Sequence, residues 1–277
     1  MRAALLWSTN GLIVKLAEAS PLALTGIRCA TASLLLFGYG RVRGVRFLSF
    51  SRSRLVGAFA YFLMAASITA AMKLTTAASA IALQYTAPVF VAVFSVFLLR
   101  ERLRLRDLAL AVLVLIGIAL SFRHGGEAQP AAALEGNALA LLSGLSYAVF
   151  IVASRLQKEE TPIASIFFGN LLGLAATLPW VLEMPVTAAN VTLGVLYGLF
   201  CGGLGFILFS EAICRVNAMP AILIAALDPV LNPLWTYLFL DERPSPDAAL
   251  GAALVIGAIL AGEILNARSA DKENRNV

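Results

Sequence analysis

The sequence predicts an all-α polytopic membrane protein. Three observations carry that reading: apolar runs of spanning length along the whole chain, a shortage of charge, and a one-sided distribution of lysine and arginine. Hydrophobic residues make up 60% of 277 positions, charged residues 13%, and the mean hydropathy is +0.86. A soluble domain carries about 25% charged residues to keep its surface wet. This chain has half that, and no stretch between its apolar runs is long enough to form a soluble domain.

Taken in order, the apolar runs and their breakers predict ten spans: 3–17, 20–39, 54–73, 76–99, 105–122, 136–154, 162–182, 191–213, 219–240 and 246–265. Each approaches the ~20 residues that cross a bilayer. The first is short, since Ala3 to Leu16 reaches about 20 Å as a helix against a hydrocarbon core of about 30 Å. Either it begins upstream of this Met, or it tilts and ends inside the bundle. With the N-terminus inside, the inside segments hold 16 Lys and Arg and the outside segments hold 4, with Arg28 inside a span. The positive-inside rule then puts both termini in the cytoplasm. The basic loop from Arg41 to Arg54 reads as a topology signal and a contact for anionic headgroups.

The same positions argue against nucleic acid as a partner despite the basic pI of about 9.4, because the cations sit in short loops. Cys29, Cys201 and Cys214 lie in or at the ends of predicted helices without metal-ligand spacing, so they read as small core residues. His124, beside Gly125 and Gly126, is the single histidine and reads as a loop residue. No metal and no cofactor is expected, and no cleavable signal sequence is evident. With no GxSxG, no HExxH and no paired catalytic carboxylates, an intramembrane enzyme has nothing to work with. No Walker A motif is present, so ATP is not the direct energy source.

The two halves repeat each other. TAPVFVAVFSVFLLRER around Pro88 corresponds to ALDPVLNPLWTYLFLDER around Pro229, and in each Glu-Arg begins 13 residues after the proline, at Glu101 and Glu242. Asp107 and Asp247 follow, each with a glycine ten residues on, at Gly117 and Gly257. Gly57 and Gly198 each stand 31 residues before their proline. Trp7 and Tyr147 are each followed eight residues later by a base, Lys15 and Arg155. Five helices per half is an odd number, so the second copy enters the membrane from the opposite side. Such inverted repeats characterise secondary transporters, with the solute held near the midplane between the halves. The expected organisation is a first repeat over 1–125, a second over 135–266, and a polar cytoplasmic tail over 267–277.

Those segments, together with LLWSTNGLIVKLAEASPLALTGIR at the start, resemble the drug/metabolite transporter superfamily, in particular its EamA-type exporters. The resemblance implies a ten-helix bundle in the bacterial inner membrane, with a cavity formed by helices 1–4 and 6–9 and with helices 5 and 10 as scaffold. It also implies export of amino acids, metabolites or drugs; carriers of phosphorylated sugars and nucleotide sugars are more distant relatives. This chain departs from the pattern in its short first helix, and Ala87 stands before Pro88 where Asp228 stands before Pro229.

Asp228 is the leading candidate for chemistry, as substrate contact and as proton site. It lies nine residues into its predicted span, near mid-bilayer, where a carboxylate is costly unless it meets a wet cavity or a partner. Pro229 frees the carbonyl one turn earlier, at Ala225, for substrate or water. Asn232 and Trp235 follow on the same helical face, completing a wall for a polar, aromatic or cationic solute. Arg28, eight residues into the second span, either binds a substrate carboxylate or pairs with Asp228. Trp7, Asn10, Gln84, Tyr85, Tyr147 and Asn170 each either line the cavity or make an interhelical hydrogen bond. Glu211, near the cytoplasmic end of the eighth span, is a gate candidate. Gly194, Gly198 and Gly202 form a small-residue seam for close helix packing. The expected partners are a small-molecule substrate and the lipid bilayer, with a monomer or homodimer as the unit. A purely structural membrane protein, the reading from another class, leaves the repeat and Asp228 unexplained.

Overall fold

The computed structural model describes residues 1–48, 51–74, 77–100, 105–121, 133–157, 161–240 and 246–275. His124, Glu101 and Glu242 lie outside the described residues. The described part is helical throughout. Its α-helices are α1 (Arg2–Trp7), α2 (Asn10–Leu16), α3 (Pro21–Val42), α4 (Arg52–Leu74), α5 (Ala77–Gln84), α6 (Ala87–Phe94), α7 (Leu105–Ser121), α8 (Ala133–Leu156), α9 (Ile163–Glu183), α10 (Ala188–Tyr197), α11 (Gly205–Ile213), α12 (Ala218–Ala225), α13 (Leu227–Leu240) and α14 (Pro246–Arg275). Two π-helical stretches continue α6 (Ser95–Leu99) and join α10 to α11 (Gly198–Leu204).

Among the described residues, five helical stretches are long and apolar enough to cross a membrane: Leu22–Val42, Arg52–Ala71, Leu134–Leu156, Ile163–Glu183 and Ala188–Ile213. Four shorter described stretches are also apolar: Ala87–Leu99, Leu108–Leu120, Pro220–Leu231 and Leu250–Gly262. Large apolar side chains such as Leu34, Phe59, Phe97, Leu182 and Leu238 project outward. That surface suits hydrocarbon as its solvent.

Local chemistry sets the ends and breaks. Ser20 caps α3 by accepting from the Ala23 amide (3.2 Å), with Pro21 behind it at the first helical position. Thr187 caps α10 through the Asn190 amide (3.2 Å). The first predicted span is two short helices, because the Ser8 and Thr9 hydroxyls donate to the carbonyls of Leu5 and Leu6 (both 2.8 Å) where the chain turns. The fourth span breaks at Tyr85–Thr86 and the ninth at Ala226, in each case two or three residues before the proline that cannot supply a helical N–H. The last helix runs past the predicted 265 through the polar segment to Arg275.

Three long antiparallel pairs build the bundle: α3 with α9, α4 with α8, and α7 with α14. On α3 also sits the glycine seam. A methyl group at Gly194, Gly198 or Gly202 would come within 2.7 Å of Ile27, Thr31 or Ala32, so the backbones meet at a distance only glycine allows. One end of the bundle carries the α2–α3 and α9–α10 loops. The opposite end carries the α3–α4 loop and the α11–α12 turn.

Candidate functional site

The interruptions cluster around a cavity. Its wall takes Trp7 and Asn10 from the α1–α2 break, Thr25 and Arg28 from α3, and Met64, Ile68 and Thr69 from α4. Opposite stand Gln84 and Tyr85 of α5, Tyr147 of α8, Tyr197 and Cys201 around the π-helical stretch, Phe206 of α11, and Asp228 with Pro229 of α13. It encloses about 170 Å³, the size class of a site that holds one benzene ring, about 150 Å³. The helices α7 and α14 pack on each other and contribute none of these residues.

The cavity lies toward the α2–α3 end. Below it, toward the opposite end, Trp7, Tyr61, Phe150, Phe206 and Phe209 form a buried plug. Ring centroids are 4.8 Å apart for Trp7–Phe206, 5.0 Å for Tyr61–Phe206 and 5.6 Å for Phe150–Phe209. Beyond the plug, polar contacts close the same end. Gln157 donates to the Ser53 carbonyl (2.9 Å), Ser165 to Gln157 Oε1 (2.7 Å), and Arg155 to the Cys214 carbonyl (2.9 Å). Glu211 accepts from Tyr39 Oη and pairs with Arg43 (2.9 Å), joining α11 to the end of α3.

Two opposite charges face this space. Arg28, only 8% exposed, donates from Nη2 to Tyr61 Oη (3.1 Å), and the Tyr197 ring lies 5.3 Å from its guanidinium carbon. Asp228 is half-buried in the first turn of α13 beside the Tyr85 hydroxyl. Arg28 and Asp228 make no ion pair with each other, so the wall offers a cation and an anion at separate points. Around them are aromatic faces and the neutral polar groups of Asn10, Thr25, Thr69 and Gln84. Such a wall can bind and orient a small polar organic solute.

The EamA-like transporter family model matches residues 1–123 and 134–261.

The chain belongs to the EamA-like transporter family.

It is accordingly a multi-pass membrane protein. A protein of Archaeoglobus fulgidus described as an uncharacterized transporter is 31% identical over 200 residues, covering 72% of both chains. A second from that organism is 25% identical over 272 residues, covering 92% of each. The S-adenosylmethionine uptake transporter of Rickettsia prowazekii is 23% identical over 70% of this chain and 65% of its own. A crystal structure at 25% identity superposes with a TM-score of 0.83 over 96% of both chains.

Within this EamA-like bundle, the structure brings Trp7, Asn10, Arg28, Gln84, Tyr85, Tyr147 and Asp228 to one cavity. Two other expected positions fall elsewhere. Asn170 is fully buried behind Arg28, holding Tyr61 Oη (3.3 Å) and the Ile166 carbonyl (2.9 Å), so α9 lends the wall nothing. Trp235, two turns and about 10 Å beyond Asp228, donates to Ser8 Oγ (2.8 Å) at the α1–α2 break. The side chain of Asn232 lies outside the described residues. The Ala225 carbonyl freed by Pro229 is also not left for solute, because Tyr85 Oη donates to it (3.3 Å). Tyr197, Thr25 and Phe206 were not anticipated. Tyr197 adjoins Gly198, the glycine matched by Gly57, which was the available signal.

Proposed function

We propose that this chain is a secondary transporter that moves small organic solutes, amino acids first among them, out of the cell across the bacterial inner membrane by alternating access. The observation that carries this reading is the cavity itself: one cation, one anion and five aromatic faces, with a buried aromatic plug on one side of it. In this reading ten spans form two inverted five-helix repeats over 1–125 and 135–266, and both termini are cytoplasmic. The cavity then faces outward, and the aromatic plug with the Glu211–Arg43–Tyr39 contact is the inner gate. The pattern of neighbours supports the repeat. Exchanging the first five spans for the second five maps the α3–α9 and α7–α14 pairs onto themselves, and α4–α8 onto α1–α11.

Seven positions are assigned to the solute: Trp7, Asn10, Arg28, Gln84, Tyr85, Tyr147 and Asp228. Asp228 is also the proposed proton site, since a proton and a cationic solute group would compete for one carboxylate. A carrier of phosphorylated or nucleotide sugars would need several cations; among the described residues of the wall Arg28 is alone. S-adenosylmethionine shares the α-amino-acid end and belongs in the test.

That test is saturable flux into proteoliposomes of labelled amino acids, S-adenosylmethionine and a hexose phosphate, against protein-free vesicles. Saturable flux of the amino acids is the expected result. Flux of the phosphate ester alone would transfer the protein to the sugar-phosphate class, and no saturable flux of any solute would contradict transport through this cavity.

A further inference from the structure

Arg28 is under-supplied with acceptors. A guanidinium presents five N–H hydrogens. Here Tyr61 Oη takes one, the Cys29 sulfur is a weak acceptor at 4.0 Å, and Nε is buried without any partner. A buried cation in that condition is costly until a ligand completes its hydrogen bonds. Its surroundings fix its orientation without satisfying it. Asn170 is aligned by donating Nδ2 to the Ile166 carbonyl, so its Oδ1 faces Tyr61. Tyr61 must then donate to Asn170, leaving its oxygen lone pairs for Arg28. On the other side the Tyr197 ring covers the guanidinium, and Gly202 brings the backbone close to its stem, where a methyl group would lie 3.3 Å from Cγ. The chain Ile166–Asn170–Tyr61–Arg28 therefore points in one direction and ends at the cavity.

We propose that Arg28 is the seat for a solute carboxylate, with Tyr61 and Asn170 as positioning residues, and that Asp228 receives the cationic end of the same solute. The proposal rests on the cavity being the transport site, and it narrows the cargo to zwitterions of the α-amino-acid type. A planar monoanion matches the guanidinium fork and its single charge. A phosphate dianion would leave one charge uncompensated beside Asp228. The two charges of the wall, unpaired with each other, are complementary to a solute carrying both signs.

The experiment compares benzoate with its neutral isostere benzamide, single rings suited to the cavity, by calorimetric binding to the full chain in nanodiscs with empty nanodiscs as blank. Hydrogen bonds to a charged group give a preference for benzoate of about 10- to 100-fold. Arg28→Gln should bring the two ligands to parity. Arg28→Lys should keep part of the preference, since the charge survives and the fork does not. Tyr61→Phe should reduce the benzoate-to-benzamide ratio several-fold; a merely structural role would weaken both ligands together. Should Arg28→Gln fail to fold, Tyr61→Phe carries the test alone. Equal binding of both rings, no benzoate binding, or an unchanged ratio in Tyr61→Phe would overturn the seat. Failure here beside saturable amino-acid flux removes the seat and leaves transport standing. Absence of flux removes the transport reading itself.

Discussion

The segments around Pro88 and Pro229 are the same backbone device with different chemistry. Each helix stops four residues before its proline and restarts one or two residues before it, and each restart lies at cavity depth. In the first copy the residue before the proline is Ala87, fully buried; in the second it is Asp228, half-buried and facing the cavity. The break is therefore common to the two segments, and the carboxylate is present in one of them. The other matched pairs divide the same way. Trp7 and Tyr147 both line the cavity. Gly57 would place a methyl group 3.0 Å from the end of the Gln157 side chain, whereas Gly198 would place one 2.5 Å from Thr31 Cβ and 2.9 Å from the Arg28 carbonyl.

Placing a carboxylate in the first copy breaks the comparison hardest. Ala87→Asp puts a charge where no water reaches, so the protein should lose several kcal/mol and with it most of its monodisperse yield on size exclusion. Recovery at wild-type yield would mean the two copies are chemically interchangeable. The glycines come next. Gly198→Ala overpacks against backbone and should cost about 1–3 kcal/mol, read as a lowered Tm, while Gly57→Ala costs less because the Gln157 side-chain end can move. The pair Gly117 and Gly257 should behave likewise. A methyl group at Gly117 meets the Gly251 carbonyl at 2.8 Å, and one at Gly257 meets nothing within 4 Å. Equal losses within either pair would remove the asymmetry. The smallest effect belongs to Tyr85→Phe, which leaves the Ala225 carbonyl without its donor and should lower stability by about 0.5–1.5 kcal/mol.

Much of the helical architecture was legible because its determinants are local. Apolar runs, prolines and loop arginines are read directly from the chain, and the proline positions indicated where backbone groups would be freed. The ends of the breaks were less legible. Ser8 and Thr9 split the first span by bonding to carbonyls three residues back, which hydropathy does not register. The site was legible where a polar or aromatic residue stood beside a break, as with Asp228, Tyr85 and Trp7. It failed where helical spacing alone was used. Trp235 shares a face with Asp228 but lies beyond the cavity, where α13 packs against α1 and α2 and the indole finds Ser8. Asn170 has the right depth and the wrong neighbour, since Tyr61 reaches it first. Which of two polar residues meets the cavity depends on the partner helix, and that information is not local.

The most direct test of the central claim is amino-acid flux in proteoliposomes with and without an imposed pH gradient, comparing wild type with Asp228→Asn. The variant keeps the shape and removes the exchangeable proton, so flux should fall or lose its response to the gradient. Wild-type flux with an intact pH response in Asp228→Asn would show that solute and proton pass without this carboxylate.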